Sequence, residues 1–559
     1  MAGHVNMMDD CLISNLPPAT LRSALRLLIS QGAATQRPFV EHVRARFIEN
    51  PPTFEAPARL FPGKDIVSPE CLAYLAQTRC IFSCKLARES LPYLEHFVKA
   101  IAQARAKWTE HSDLQALLST ADGDIVQAIQ ALKESRPEAS PELRISLGAL
   151  LDALDSCERY CDFVLPPLPF PFGRARRQIR DVATILFPDQ DQHLGAKIPM
   201  YPQDGARHTV ETFWLGPFEM PRLFNGLWQL SSPSWGSGSA HAQEKALARA
   251  VERGLVASDM ADHYGDAELV YGEFRIKQLP EVRDSTYAAT KWCIFSPLTE
   301  PVTTSFVFDA VHERSRRLRG RVELLQFHWQ DYESKEYLDI FVELVRISRY
   351  YPELVTSIGL CNFDSEHTEQ VCEYLVAKTG DAGIVSNQVQ FSLVDARPLQ
   401  KMVHVCDKYG LKLLTYGSLC GGFLSERWLR QPAPEVYGES NKLTPSQRKY
   451  HDMIRTWGTW SEFQTLLERL STIAAKHGVD IANVATRWVL QQPAVGAVIV
   501  GTALGVSDHV DDNLRVFRFE LSDGDISSIN AIALGPSREK VQAVYEKLGD
   551  CGNEYRKMH

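Results

Sequence analysis

From Phe213 onward, short runs rich in β-branched and aromatic residues alternate with helical stretches, and this rhythm restricts the fold more than any other feature of the chain. Eight runs follow one another: Arg222–Leu227, Leu255–Asp259, Ser285–Thr290, Val322–Phe327, Val355–Leu360, Ile384–Asn387, Leu411–Thr415 and Ala497–Val500. Helical patterns fall between them, among them His241–Arg253, Tyr337–Arg349, Glu366–Ala377 and Ser461–His477. A helix between successive strands carries the chain back to the same end of the sheet, so neighbouring strands run parallel. Eight such units over roughly 340 residues predict a closed (β/α)8 TIM barrel, spanning 213–559.

The first part of the chain has a different period. Between Ile13 and Val164 apolar residues recur at helical spacing, as in Leu21, Ala24, Leu25 and Leu28 or Ile125, Ala128, Ile129 and Leu132. Residues 1–164 are therefore expected to form a mainly α-helical domain. Breaks are expected at Pro17-Pro18, Pro51-Pro52, Asp122-Gly123-Asp124 and Pro137, with Asp124 capping the helix after it. The proline-dense stretch Leu165–Gly173 cannot continue a helix and opens a connector, 165–212. Its basic run, Arg174, Arg176, Arg177 and Arg180, reads as a solvated face.

Composition narrows the partners. A net charge of -9 gives no broad electrostatic reason to hold nucleic acid or an anionic membrane. No run of about 18 apolar residues occurs, and Met1–Leu12 carries two aspartates and no apolar segment of the secretory kind. The expectation is a cytoplasmic protein whose partners are small molecules. Twelve scattered cysteines suit reduced thiols. Cys80 with Cys84 and Cys157 with Cys161 share helix faces, but the loop-borne C-x-x-C spacing of structural zinc is missing, so burial is expected and no metal.

In a barrel of this type the polar residues to collect are those at the C-terminal strand ends. Asp259 closes the second run, Tyr264 follows in the loop Ala261–Gly265, Lys291 closes the third and His328 the fourth. Their joint placement suits carbonyl reduction, which needs a hydride on carbon and a proton on oxygen. A phenol, with an ordinary pKa of about 10, can give that proton if an ammonium such as Lys291 stabilises the phenolate left behind. Asp259 would keep Lys291 charged and oriented, and His328 would hydrogen-bond the carbonyl oxygen.

These residues resemble the aldo-keto reductase family over about 213–535. Asp259-Met260-Ala261-Asp262-His263-Tyr264-Gly265, followed by Glu268, is similar to the family's D-x-A-x-x-Y-G segment. Thr290-Lys291 is similar to its third-strand lysine, and Gln326-Phe327-His328-Trp329 to its histidine strand. The resemblance implies a catalytic tetrad of Asp259, Tyr264, Lys291 and His328, and a nicotinamide dinucleotide at the barrel mouth: NADPH, with NADH the other candidate. Gly359-Leu360-Cys361-Asn362-Phe363 resembles the family's G-x-S-N-F turn, Cys361 replacing serine and weakening one hydrogen bond to the carboxamide. By the same resemblance Gln388, after Asn387, grips the carboxamide and Tyr416 stacks on the nicotinamide. Gly417, Ser418 and Leu419 lead to Arg427 at the pyrophosphate, and Gly501, Thr502 and Asn513 form the adenine segment. Where many relatives place Arg or Lys for a 2′-phosphate, this chain offers only His509.

Loops Ser231–Ala240 and Ser425–Trp460 are expected to select the substrate. The second carries Trp428, Tyr437, Tyr450, Trp457 and Trp460. Trp292 and Trp329, each directly after a tetrad residue, are further pocket candidates, and with Trp428 they would suit apolar or aromatic carbonyls. The leading reading is an NAD(P)H-dependent reductase of aldehydes or ketones. The second is an NADPH-sensing interaction protein resembling potassium-channel β subunits, with the helical domain mediating oligomerisation or partner binding.

Overall fold

The computed structural model describes residues 12–187, 210–236, 238–329, 331–438 and 443–556. Residues 188–209 of the expected connector and the first eleven residues lie outside that set.

All eight expected runs are strands. A hairpin, β1 (Thr212–Leu215) and β2 (Phe218–Pro221), comes first. Then follow β3 (Leu223–Gly226), β4 (Ala257–Asp259), β5 (Tyr287–Ile294), β6 (Val322–Trp329), β7 (Val355–Cys361), β8 (Ile384–Gln390), β9 (Lys412–Tyr416) and β10 (Val495–Gly501). They close in the order β10-β3-β4-β5-β6-β7-β8-β9. Every pairing around the ring is parallel. The inner core draws Phe224, Ala257, Ala289, Leu324, Leu414 and Ala497 from the strands, and Leu215 and Met220 of the hairpin join it. The hairpin thus belongs to the barrel interior. The larger core fills the space between the strands and the outer helices, with Tyr337, Phe341, Phe363 and Trp488 among its fully buried members.

The N-terminal region is helical, as its period indicates: α1 (Pro18–Ile29), α2 (Ala33–Glu49), α3 (Pro69–Ser83), α4 (Ala87–Gln103), α5 (Asp113–Glu134), α6 (Pro141–Phe163) and α7 (Gly173–Leu186), with a one-turn helix at Pro57–Leu60. Helices α3 to α7 share one core, in which Leu94, Phe97, Ile129, Leu150 and Leu154 are buried. Helices α1 and α2 contain no fully buried residue.

Two local expectations fail. Asp122-Gly123-Asp124 is not a break but the middle of α5, a 22-residue helix. The aspartates that disfavour helix in isolation are used by tertiary partners: Asp122 accepts from the Ala175 backbone N–H at 2.8 Å, and Asp124 pairs with Arg79 at 2.7 Å. The basic run is likewise no solvated face. It forms the first turns of α7, whose Ala175, Ile179 and Val182 complete the helical core. Arg174 is 4% exposed and ion-paired at 2.7 Å to the fully buried Asp266 of the barrel. Lys133–Glu313 at 3.0 Å and Arg317–Asp181 at 3.1 Å tie the same two parts.

Cys84, Cys157 and Cys161 are buried, as expected; Cys80 is exposed. Among the described residues no helix is long and apolar enough to cross a membrane.

Candidate active site

Strand register brings the expected residues to one rim. Asp259 pairs with Ala289 across β4 and β5, Lys291 with Gln326, His328 with Cys361, Cys361 with Gln388, and Gln390 with Tyr416. Asp259, Lys291 and His328 are 3%, 2% and 4% exposed, so the Asp259 and Lys291 charges depend on each other and not on water. The Lys291 ammonium is ion-paired to Asp259 and donates to the Met260 carbonyl at 2.9 Å. The second Asp259 oxygen, Oδ1, accepts from Gln326 Nε2 at 2.9 Å and from Gln388 Nε2 at 2.7 Å. Gln388 Nε2 also reaches Gln326 Oε1 at 2.8 Å. A buried ion pair is tolerable only when its remaining lone pairs are satisfied, and these two amides satisfy them.

Tyr264 lies over this pair, with Lys291 Nζ 4.9 Å from its ring centroid. Its loop turns sharply at Gly265, φ +60°, where a Cβ would sit 3.2 Å from Val126 of α5 and 3.4 Å from the Leu230 carbonyl. Glycine is required there both for the left-handed backbone and for the close approach of the helical region. Burial pushes the Tyr264 phenol well above its usual 10, and the nearby Lys291 ammonium opposes that rise without cancelling it. For Lys291 burial works against the charge, but Asp259 and then Tyr264 outweigh it and hold the pKa above 10.5.

The amide and aromatic stations of the next strands adjoin this cluster. Asn362, just past β7, adopts φ 58° and its Oδ1 accepts from the Tyr416 hydroxyl at 2.8 Å. Cys361 is buried, and burial pushes its thiol up to about 12. Two amides and a flat ring at three successive strand ends form a donor set suited to a nicotinamide carboxamide and its ring. Gly417, φ +72°, allows the Tyr450 hydroxyl within 2.2 Å of where a Cβ would be. Ser418 instead faces inward, its Oγ donating to the Phe391 carbonyl at 2.9 Å, and Leu419 is half-buried beside it.

Other candidates fall away from this cluster. Arg427 is exposed, 5.8 Å from the Trp428 ring, a solvent-facing charge. Trp428 packs against Phe423 and Trp460 with centroids 4.6 and 6.1 Å away, so it anchors its own loop and does not wall the pocket. Trp292 and Trp329 border a large cavity between the barrel and the helical region, and both pack against Phe327. Gly501 ends β10, Thr502 donates from its backbone N–H to the Gly226 carbonyl at 2.9 Å, and Asn513 sits in the helix Val510–Leu514. Carboxylates surround Asn513. Asp508 and Asp511 bind Arg249 at 2.9 and 2.8 Å, and Asp512 binds Arg515 at 3.0 Å, while His509 is exposed.

Among the described residues one group resembles a metal site: Asp262, His263 and Cys293 offer ligand atoms within 4.8 Å of one another. Asp262, however, is ion-paired with Arg314, and burial followed by the charge of Asp262 pushes the Cys293 thiol well above its usual range. A protonated thiol and a carboxylate already neutralised make poor cation ligands.

Four residues of the site escaped the sequence reading. Gln326 could have been found by the period of a strand, since it lies two residues before His328 on the same face. Lys449, Tyr555 and Arg556 could not, because they are distant in the chain. Tyr555 donates or accepts at 3.1 Å with the Tyr416 hydroxyl, and Lys449 Nζ donates to the Tyr555 hydroxyl at 2.6 Å. Arg556 donates to the Asn362 carbonyl at 2.6 Å. This C-terminal tail is built in: Arg397 binds Glu554 at 3.0 Å and Asp395 at 2.8 Å, and Gly552, φ +77°, approaches Asn362 so closely that a Cβ would lie 2.0 Å from its carbonyl oxygen.

Residues 222–534 match the Aldo/keto reductase family, and as the match covers over half of the chain, the protein belongs to that family of oxidoreductases acting on carbonyl groups. Pyridoxal reductase, chloroplastic, of Arabidopsis thaliana is 25% identical over 350 residues, 59% of this chain and 88% of that protein. Flagellar radial spoke protein 5 of Chlamydomonas reinhardtii is 29% identical over 182 residues, 30% of this chain and only 33% of that protein. A solved thermostable aldo-keto reductase in complex with the inhibitor epalrestat shares 19% identity over 58% of this chain and 100% of its own, with a TM-score of 0.43.

Proposed function

We propose that the protein reduces an aldehyde or ketone to an alcohol with NADPH or NADH, and that Tyr264 supplies the proton. The observation that carries this reading is the buried Asp259–Lys291 pair lying 4.9 Å beneath the Tyr264 ring, with His328 on the adjoining strand. Asn362, Gln388 and Tyr416 would hold the nicotinamide, with Cys361 and Gly417 beside them; Gly501, Thr502 and Asn513 would meet the adenine end. When bound, the dinucleotide supplies a hydride.

The chain's own residues then manage the proton. Burial keeps the Tyr264 phenol protonated at neutral pH, so the donor is loaded. The Lys291 ammonium, fixed by Asp259 and the Met260 carbonyl, stabilises the phenolate once the proton has left. His328 would orient the carbonyl oxygen toward Tyr264. NADPH is the family expectation, and the carboxylates of the adenine segment, Asp508, Asp511 and Asp512, are offset by Arg249 and Arg515, so their charge does not decide against a 2′-phosphate. The helical unit is best drawn to residue 187, since α7 completes its core, with the barrel following from 213.

Pyridoxal, the compound in the first relative's name, makes a reasonable first aldehyde to assay. Tyr264→Phe is expected to lower kcat at least a thousandfold while cofactor still quenches tryptophan fluorescence with unchanged affinity. A variant that turns over like the parent would remove Tyr264 from the mechanism. The same quenching titration with NADPH and NADH settles the cofactor.

A further inference from the structure

A cavity lined by Asp262, His263, Trp292, Cys293 and Trp329, chain neighbours of the tetrad, is larger than a simple carbonyl needs. It measures about 1920 Å3 and is bordered by the barrel on one side and by α1, α2, α5 and α7 on the other. Pockets for small ligands usually enclose about 300–1,000 Å3. Helices α1 and α2, with no fully buried residue, span this chamber, and their contact with the barrel is polar: Arg26 donates to the Tyr437 carbonyl at 3.0 Å and the Tyr437 hydroxyl to Ser30 Oγ at 3.0 Å.

One wall of the chamber is cationic. Arg26 of α1 and the adjacent Arg448 and Lys449 of the helix Pro445–Trp457 all border it. Among the described residues none of the three has a carboxylate within ion-pairing distance. Arg26 is used on a carbonyl, Lys449 on the Tyr555 hydroxyl, and Arg448 Nε is buried without a hydrogen-bond partner. Of the acids nearby, Glu554 is ion-paired with Arg397, while the Asp452 side chain is 56% exposed, so water screens its charge. Burial and then the charge of Arg26 lower the pKa of Arg448, so the two guanidiniums repel each other. Like charges gathered in a partly dry cleft are unfavourable unless an anion joins them.

The wall also reaches the reacting centre. Lys449 Nζ is 2.6 Å from the Tyr555 hydroxyl, and the Tyr555 ring centroid is 6.3 Å from that of His328. We infer that the chamber takes a carbonyl compound carrying a carboxylate or phosphate group, which Lys449, Arg448 and Arg26 hold while the carbonyl lies at Tyr264. The helical region thereby contributes a side chain to substrate selection. This inference rests on the reductase reading above.

The test uses the full chain with saturating cofactor and three aldehydes: benzaldehyde, 4-carboxybenzaldehyde and 4-formylphenyl phosphate. At least one charged aldehyde should exceed benzaldehyde tenfold or more in kcat/KM, and which of the two does so identifies the anion. Arg26→Gln and Arg448→Gln should each cut that selectivity ratio about tenfold through KM, and high salt should cut it in the parent. Equal kcat/KM for all three, or variants that weaken cofactor affinity in a fluorescence titration and leave the ratio unmoved, would overturn the inference. Calorimetry with 4-(hydroxymethyl)benzoate against benzyl alcohol reads the wall without turnover. Absence of all reduction with tight binding of the acid would refute the reductase reading alone; equal binding of acid and alcohol refutes the anion site.

Discussion

Replacing Arg174 with methionine should loosen the loop that carries Tyr264, although Arg174 lies 90 positions earlier in the chain. Its guanidinium bonds Asp266 at 2.7 Å through Nη2, reaches both carboxylate oxygens through Nε at 3.2 Å, and donates to the Leu230 carbonyl at 3.0 Å. Asp266 follows Tyr264-Gly265 and precedes the helix Ala267–Ile276, and its side chain has no exposure. Removing the cation leaves a buried carboxylate whose remaining partner is Arg177 at 3.5 Å. Breaking such a pair costs about 3–5 kcal/mol; Arg177 places this case near the lower end, about 3 kcal/mol. At about 1.36 kcal/mol per tenfold, local opening of the loop becomes roughly 150-fold more frequent. Amide hydrogen exchange over residues 262–272 measures this directly, and kcat should fall at least tenfold. The double variant Arg174→Met/Asp266→Leu, which removes the stranded charge, should regain most of the protection. Exchange within threefold of the parent in Arg174→Met would refute the claim that the helical region holds this loop.

Two further outcomes follow from buried titratable groups. Burial raises the Asp122 carboxyl from 3.8 to about 7, so the folded chain keeps its proton where the unfolded chain has released it. Stability from this group is therefore full below pH 4 and declines as pH rises to about 7, by roughly 4 kcal/mol in all. Asp122→Asn, which can still accept from Ala175, should escape that decline; parallel urea midpoints for parent and variant across pH 5–8 would contradict the assignment. Cys361→Ser restores a hydroxyl to the turn before Asn362 and should tighten cofactor binding about threefold, a gain of roughly 0.7 kcal/mol typical of one neutral hydrogen bond. A fluorescence titration showing weaker binding would count against Cys361 as a cofactor neighbour.

The barrel was legible because its information is periodic and local. Each run is a short apolar stretch that meets a polar residue toward its C-terminal end: Asp259 ends β4, Lys291 lies three residues before the end of β5 and His328 one before the end of β6. Closing the ring only had to bring those ends to one rim. Gln326 was also within reach, as strand alternation puts it on the face of His328. What resisted was whatever depends on a distant partner. Asp122-Gly123-Asp124 reads as a turn until Ala175 and Arg79 are known to occupy its carboxylates. Arg174 reads as solvated until Asp266 is found opposite it.

The same asymmetry explains where the chain's specificity should be sought. Asp259, Lys291, His328 and Gln388 lie on barrel strands and Asn362 directly follows one, whereas Tyr264 stands on a loop that Arg174 of α7 also holds. The cations bordering the chamber come from three separate places: Arg26 from α1, Lys449 and Arg448 from the helix Pro445–Trp457 within the long loop, and Arg556 from the tail. None of these lies on a strand, and each is held by contacts that cross the molecule, such as Arg26 with Tyr437 and Arg556 with Asn362. Loops and appended helices can change without disturbing strand register, whereas a strand-end change strands a buried charge. On the proposed reading, substrate choice can vary with α1, the long loop and the tail, while the Asp259–Lys291 pair stays fixed by the barrel strands.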